Sequence, residues 1–115
     1  LYALTHPERF PDEGMRRFDP IAAGPLTFEP VRREVFGAFS AGLAAAQAGG
    51  TAPAVFNAAN EVAVEAFLKQ SINFPRIAET ISQVLDDHRP VAADSLESVC
   101  AADAWARTRA REVLS

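Results

Sequence analysis

"NAANEVAVEAFL", residues 57 to 68, decides how this chain is read. It holds no Gly or Pro, and every residue in it tolerates a helix. Val55, Ala59, Val62 and Ala66 recur at helical spacing across it, with Phe56, Ala63 and Phe67 beside them. A helix that is apolar on most sides is buried on most sides, so other helices must surround it. Asn57, Asn60 and Glu61 are the exceptions, and offsets of three and four put them on one side of its first turns. Polar groups carried into a buried helix have to be paired. The three are therefore read as structural buried polar residues that tie the helix to its neighbours. A metal site built from them is short of oxygen ligands, because hard cations want more donors and no second acidic cluster is evident.

Helical texture extends outward in both directions. Upstream, Val35, Phe39, Leu43 and Ala46 form one apolar stripe from Val31 on, and Gly49-Gly50 stops that helix. Thr51 is the expected N-cap of the next, with Pro53 in its first turn. Downstream, Asn73 is the expected N-cap of a third helix, with Ile72 and Ile77 placed as a hydrophobic staple. Its stripe continues through Ile81, Val84, Leu85 and His88. "RPVAAD" is a linker, and Asp94 with Glu97 opens a fourth helix with a break expected near Cys100–Ala102. Four helices on short connections read as a small bundle, and the fold class is mainly α.

The first thirty residues differ. They carry five of the eight prolines, and proline removes a backbone donor and ends helices. Leu1–Leu4 reads as a helix stub and the rest as irregular, except that "PLTFEP" (25–30) holds one short strand centred on Leu26–Phe28. A lone strand cannot satisfy its own hydrogen bonds, so this one needs a sheet that the chain does not offer. The chain opens on Leu1 rather than Met, which also suggests a piece of something longer. Residues 1–30 are thus read as the end of another domain and a linker, and 31–115 as a helical bundle domain.

Composition narrows the functions. A net charge of -4 gives no electrostatic reason to bind nucleic acid or an anionic membrane. No stretch approaches the ~20 apolar residues of a membrane span. The single Cys100 cannot form an internal disulfide and fits a reducing, cytoplasmic setting, read as an inert core thiol. His6 and His88 stand far apart with no ligand-spaced partner, so neither is assigned to metal or catalysis. The arginines of "RTRAREV" read as a solvated helix face, and Arg16-Arg17 as surface charge. No phosphate-binding glycine fingerprint or nucleophile elbow is present. No catalytic, cofactor-binding or metal residue is assigned.

Several segments are similar to one enzyme family. "GPLTFEPV", "AGGTAPAVFNAANEVAVEAFL" and "INFPRIAETI", with "LYALTHPERF" at the start, resemble in order the C-terminal portion of the 1-deoxy-D-xylulose 5-phosphate reductoisomerases. "VRREVFG" departs from the family's pattern at the first bundle helix. The resemblance implies that 1–30 ends a central catalytic domain and that 31–115 is the C-terminal helical domain. It implies a parent that isomerises and reduces its substrate to 2-C-methyl-D-erythritol 4-phosphate, in non-mevalonate isoprenoid biosynthesis. NADPH and Mg or Mn belong to the parent, with none in this fragment. The partner it implies is the catalytic domain of the same chain, in a homodimeric parent. The competing expectation is an independent helical module that binds another protein.

Overall fold

The structure, a computed structural model, describes residues 2–11, 14 and 16–115. Among them are six helices and no strand: α1 (Tyr2–Thr5), α2 (Pro20–Ala23), α3 (Gly37–Ala48), α4 (Ala52–Leu68), α5 (Phe74–Asp87) and α6 (Leu96–Leu114). The chain divides into two compact units, 1–30 and 31–115.

In the first unit α1 sits where a helix stub is expected, although Leu1 lies outside the described residues. The Arg9 guanidinium lies 4.3 Å from the centre of the Tyr2 ring. The helix α2 was not expected. Asp19 caps it, its carboxylate accepting from the Ile21 and Ala22 amides at 2.9 and 3.2 Å, and Pro20 opens its first turn. The Asp-Pro pair was the legible signal. The strand expected at Leu26–Phe28 is absent; with no sheet to pair with, this segment is irregular and Phe28 stays exposed.

The second unit is the bundle. Its helices α4 and α5 touch each other, and each also touches α3 and α6, which do not touch one another. Helix α4 is poor in polar residues because three helices cover it. Its Val55, Ala58, Ala59, Val62 and Ala63 are buried, joined by Ile77, Ile81 and Val84 of α5 and by Ala102, Ala106 and Ala110 of α6. Eight of the thirteen buried apolar residues are alanine. Small side chains let helix backbones approach closely, and the gain is dense dispersion contact rather than large apolar area. The same rule holds in α3, where the site of a Cβ on Gly42 is only 3.0 Å from the Phe56 ring.

Two helix starts and one expected break differ from expectation. The helix α3 starts at Gly37, not near Val31, since residues 33–35 form a turn. Its Ala38, Ala41 and Ala45 face the core and Phe39 is exposed, so the large-residue stripe points outward. The N-cap of α6 is Ser95, whose hydroxyl accepts from the Ser98 amide at 3.1 Å, rather than Asp94. It runs unbroken to Leu114, because Ala102, Ala106 and Ala110 repeat every four residues along one buried edge. Cys100 falls two residues from that edge and is exposed, not a core thiol. Asn73 caps α5 as expected, accepting from the Arg76 amide at 3.2 Å.

Gly49 and Gly50 both take positive φ, +69° and +51°. Space is open around Gly49, whereas a Cβ on Gly50 would collide with the Val91 carbonyl oxygen. Gly49→Ala should carry only the backbone penalty of about 1–3 kcal/mol for a side chain in this region. Gly50→Ala should cost clearly more. Urea midpoints of the two variants check the order, and equal midpoints would refute the close approach.

Candidate functional site

The face raised by the sequence is built on α4. Its polar residues Asn57, Glu61 and Glu65 recur every four positions, a single ridge that ends at Lys69. This ridge is the solvent edge of an otherwise covered helix. Asn57 and Glu61 are exposed and Asn60 is half-buried, which corrects the expectation that all three are buried. The reason is geometric: the core side of α4 is filled by Ala58, Ala59, Val62 and Ala63, leaving these positions the outer arc.

The ridge is nonetheless ordered. The Asn57 amide Nδ2 donates to Glu61 Oε1 at 2.9 Å. Arg107 of α6 donates from Nη2 to Glu61 Oε2 at 2.7 Å and holds Asp103 through Nε and Nη2 at 2.8 and 3.1 Å. The hydrogen bond from Arg107, aided by that from Asn57, holds the Glu61 carboxyl below the usual carboxylate range. In turn Asp103 and Glu61 keep the guanidinium charged. Arg109 likewise bridges Asp87 of α5 at 2.8 Å and Glu112 at 3.0 Å. The arginines at 107 and 109 are therefore stitches between helices. The side chain of Asn60 makes no hydrogen bond with the described residues.

A second polar point was missed. Thr51 is fully buried, yet its hydroxyl does not cap α4 as expected. It accepts from the Val91 amide at 3.2 Å and meets His88 Nε2 at 2.9 Å, while the Thr51 amide donates to the Val91 carbonyl at 3.0 Å. This clasp fastens the α3–α4 turn to the α5–α6 linker. The His88 ring is 5.2 Å from Trp105, and burial pushes its pKa down. Nothing in the local sequence of Thr51 points to partners so far along the chain.

The third feature is an apolar groove of about 440 Å³ at the N-terminal ends of α3 and α5, walled by Val35, Phe36, Phe39, Phe74, Pro75 and Ala78 among others. Elsewhere, among the described residues, no group of three or more His, Cys, Asp or Glu could hold a metal. His6 stacks edge-on against Tyr2 at 5.6 Å. Arg16 and Arg17 are exposed.

The model of the DXP reductoisomerase C-terminal domain matches residues 1–109. The chain belongs to that family. It is 49% identical over 113 residues to the 1-deoxy-D-xylulose 5-phosphate reductoisomerase of Citrifermentans bemidjiense, covering 98% of this chain and 29% of the relative. The enzyme of the same name from Geobacter sp. strain M21 is 48% identical over the same shares. Among solved structures, the Zymomonas mobilis enzyme in complex with NADPH superposes with a TM-score of 0.81 at 35% identity, over 99% of this chain and 30% of that one. The chain thus spans under a third of the relatives' length.

Two outcomes follow for the polar residues. Asn57→Ala and Asn60→Ala should each shift stability by no more than about 0.5 kcal/mol, as substitutions away from buried networks do. Thr51→Val should cost about 1–3 kcal/mol, since it leaves the Val91 amide and His88 unpaired. Denaturant titrations of the three variants separate these cases.

The pH dependence has a definite sign. His88 binds its proton less tightly folded than unfolded, because burial lowers its pKa from 6.5. The unfolded state then takes up more protons as pH falls below 6.5, so His88's contribution is present above that pH and lost through its folded pKa. Thermal midpoints should fall from pH 7 toward 5.5, and His88→Gln should flatten this limb. An unchanged slope in the variant would remove the assignment.

Proposed function

We propose that this chain is the C-terminal support domain of a 1-deoxy-D-xylulose 5-phosphate reductoisomerase, with the chemistry carried elsewhere in the parent. The observation that carries this is the match itself: nearly the whole chain aligns with under a third of each relative, and with the part described as the C-terminal domain. On this reading residues 1–30 close the catalytic domain and lead into the bundle of 31–115. The parent converts 1-deoxy-D-xylulose 5-phosphate to 2-C-methyl-D-erythritol 4-phosphate with NADPH and Mg or Mn, as a cytoplasmic homodimer in isoprenoid biosynthesis.

The residues present do not fit either group. A hard divalent cation wants several carboxylate oxygens, and the carboxylates brought together here, Glu61 with Asp103 and Asp87 with Glu112, are held by Arg107 and Arg109. Arg107 and Arg109, which could meet a cofactor phosphate, are likewise engaged with carboxylates. No step of the reaction is therefore assigned to this chain. Asn57 and Glu61 serve the scaffold through the bridge to α6, in which Asn60 takes no part.

The competing reading, an independent module that binds another protein, draws support from the open apolar groove. An assay separates the two. The protein expressed with the coding sequence upstream of Leu1 should oxidise NADPH when given 1-deoxy-D-xylulose 5-phosphate and Mg²⁺, followed by the cofactor's absorbance. The 115-residue chain alone should not. Turnover by the short chain, or none by the longer protein, would overturn the proposal.

A further inference from the structure

We infer that the Thr51–His88–Val91 clasp is a proton-operated latch: the Thr51 hydroxyl donates to a neutral His88 ring, and protonation of that ring frees the α5–α6 linker while the helices stay packed. The first response to acid is then local, confined to residues 88–95 and the turn they fasten, and Thr51 is the residue that sets it.

The hydroxyl of the fully buried Thr51 has one proton and two lone pairs to place. One lone pair accepts from the Val91 amide at 3.2 Å. Among the described residues, the only other group that meets this oxygen is His88 Nε2, at 2.9 Å. The hydroxyl proton therefore goes to Nε2, and no buried side-chain polar atom of the described residues is left without a partner. A ring that accepts at Nε2 is neutral and carries its own proton on Nδ1. Adding a proton to Nε2 sets two donors against each other. The hydroxyl can then only accept, and its proton loses its one partner in a fully buried site.

The ring's surroundings do not compensate an added charge. His88 borders an apolar hollow of about 170 Å³, shared with Ala45 and Ala48 of α3, Ala52 of α4 and Leu85 of α5. Helix α6 brings Trp105 to 5.2 Å. None of these titrates. Asp86, Asp87 and Arg89 adjoin the ring along the chain, and Arg109 of α6 holds Asp87 at 2.8 Å. Burial alone moves the ring's affinity for a proton, and moves it down. The linker, for its part, is lightly held. Between His88 and the Ser95 cap, Val91 exchanges two hydrogen bonds with Thr51. Beyond them, among the described residues, only the Ser98 hydroxyl reaches the linker, at the Ala92 carbonyl 3.4 Å away. The core contacts of α5 and α6, through Ile77, Ile81 and Val84 and through Ala102, Ala106 and Ala110, depend on none of these bonds. A segment with few bonds and an exposed backbone opens before a packed core does.

The test uses the protein expressed with its upstream sequence and reads two kinds of hydrogen exchange by mass spectrometry. Amide exchange is corrected for its intrinsic pH dependence and followed from about pH 7 to about 5.5. Protection of residues 88–95 and of the 49–52 turn should fall, by at most about tenfold per pH unit because a single proton is taken up. Protection of 55–63 and 77–84 should hold. His88→Gln, which does not titrate, should leave the linker's protection flat with pH. Exchange of the imidazole C2 hydrogen reports the pKa of His88 itself. Thr51→Val should raise that pKa, since the hydrogen bond favouring the neutral ring is gone, and Thr51→Ser should leave it in place. A purely structural threonine would move neither. Protection of the linker that ignores pH, a loss that runs in parallel through the whole bundle, or an unmoved His88 pKa in Thr51→Val would overturn the inference. Should Thr51→Val fail to fold, the unsubstituted protein and His88→Gln decide by themselves.

Discussion

Close approach around α4 is the constraint on which the bundle depends. Ala58, Ala59 and Ala63 leave no side chain long enough to hold a neighbouring helix off, so α3, α5 and α6 can all lie against one helix of seventeen residues. The interior that results is dense but shallow. Each alanine contributes little apolar area, so the balance leans on Val55, Ile77, Ile81 and Val84 and on contact quality. Enlarging any of the fully buried alanines would force helices apart, because a packed core has no slack into which a methylene can go.

Given so narrow a core, the polar stitching has a clear purpose. Arg107 joins α6 to α4 and Arg109 joins α6 to α5, both through partly exposed pairs whose individual worth is small. Arg76 adds a hydrogen bond from α5 to the Val113 carbonyl at 2.8 Å, serving an otherwise orphaned group at the end of α6. Thr51 does more. Buried and held to both His88 and Val91, it closes the connections at one end of the bundle as the alanines close its middle. Gly50 is what allows the Val91 carbonyl to come so near.

How much of this was legible follows from the range of the interactions involved. The helices of the bundle were readable because period and capping are local: Asn73 lies three residues from the amide it caps, and the α4 stripe repeats within its own seventeen residues. The mainly α class came from these periods, and the family from four segments in order along the chain. Burial of particular polar residues was not readable, because it depends on which arc of α4 its neighbours leave open. Asn57 and Glu61 share that arc with Glu65, a four-residue repeat present in the sequence but hidden by the pull of the two asparagines. The Thr51 clasp spans forty residues and has no local signature. The strand at Leu26–Phe28 failed for the opposite reason: its local propensity is sound, but a strand exists only with a partner.

The same logic bears on the outward-facing aromatic residues. Phe56 and Phe67 pack against the core, whereas Phe36, Phe39 and Phe74 keep about half or more of their surface in water. Turning them inward would require replacing the alanines that let the helices close, so interior and groove are two sides of one choice. The interior is mostly small residues, and several large ones stand around the groove at one end. The exposed segment of residues 20–30, with Leu26 and Phe28 in water and prolines limiting its backbone, tells the same story from the other unit. Both units leave large apolar side chains exposed, Leu26 and Phe28 in the first and Phe36 and Phe74 in the second.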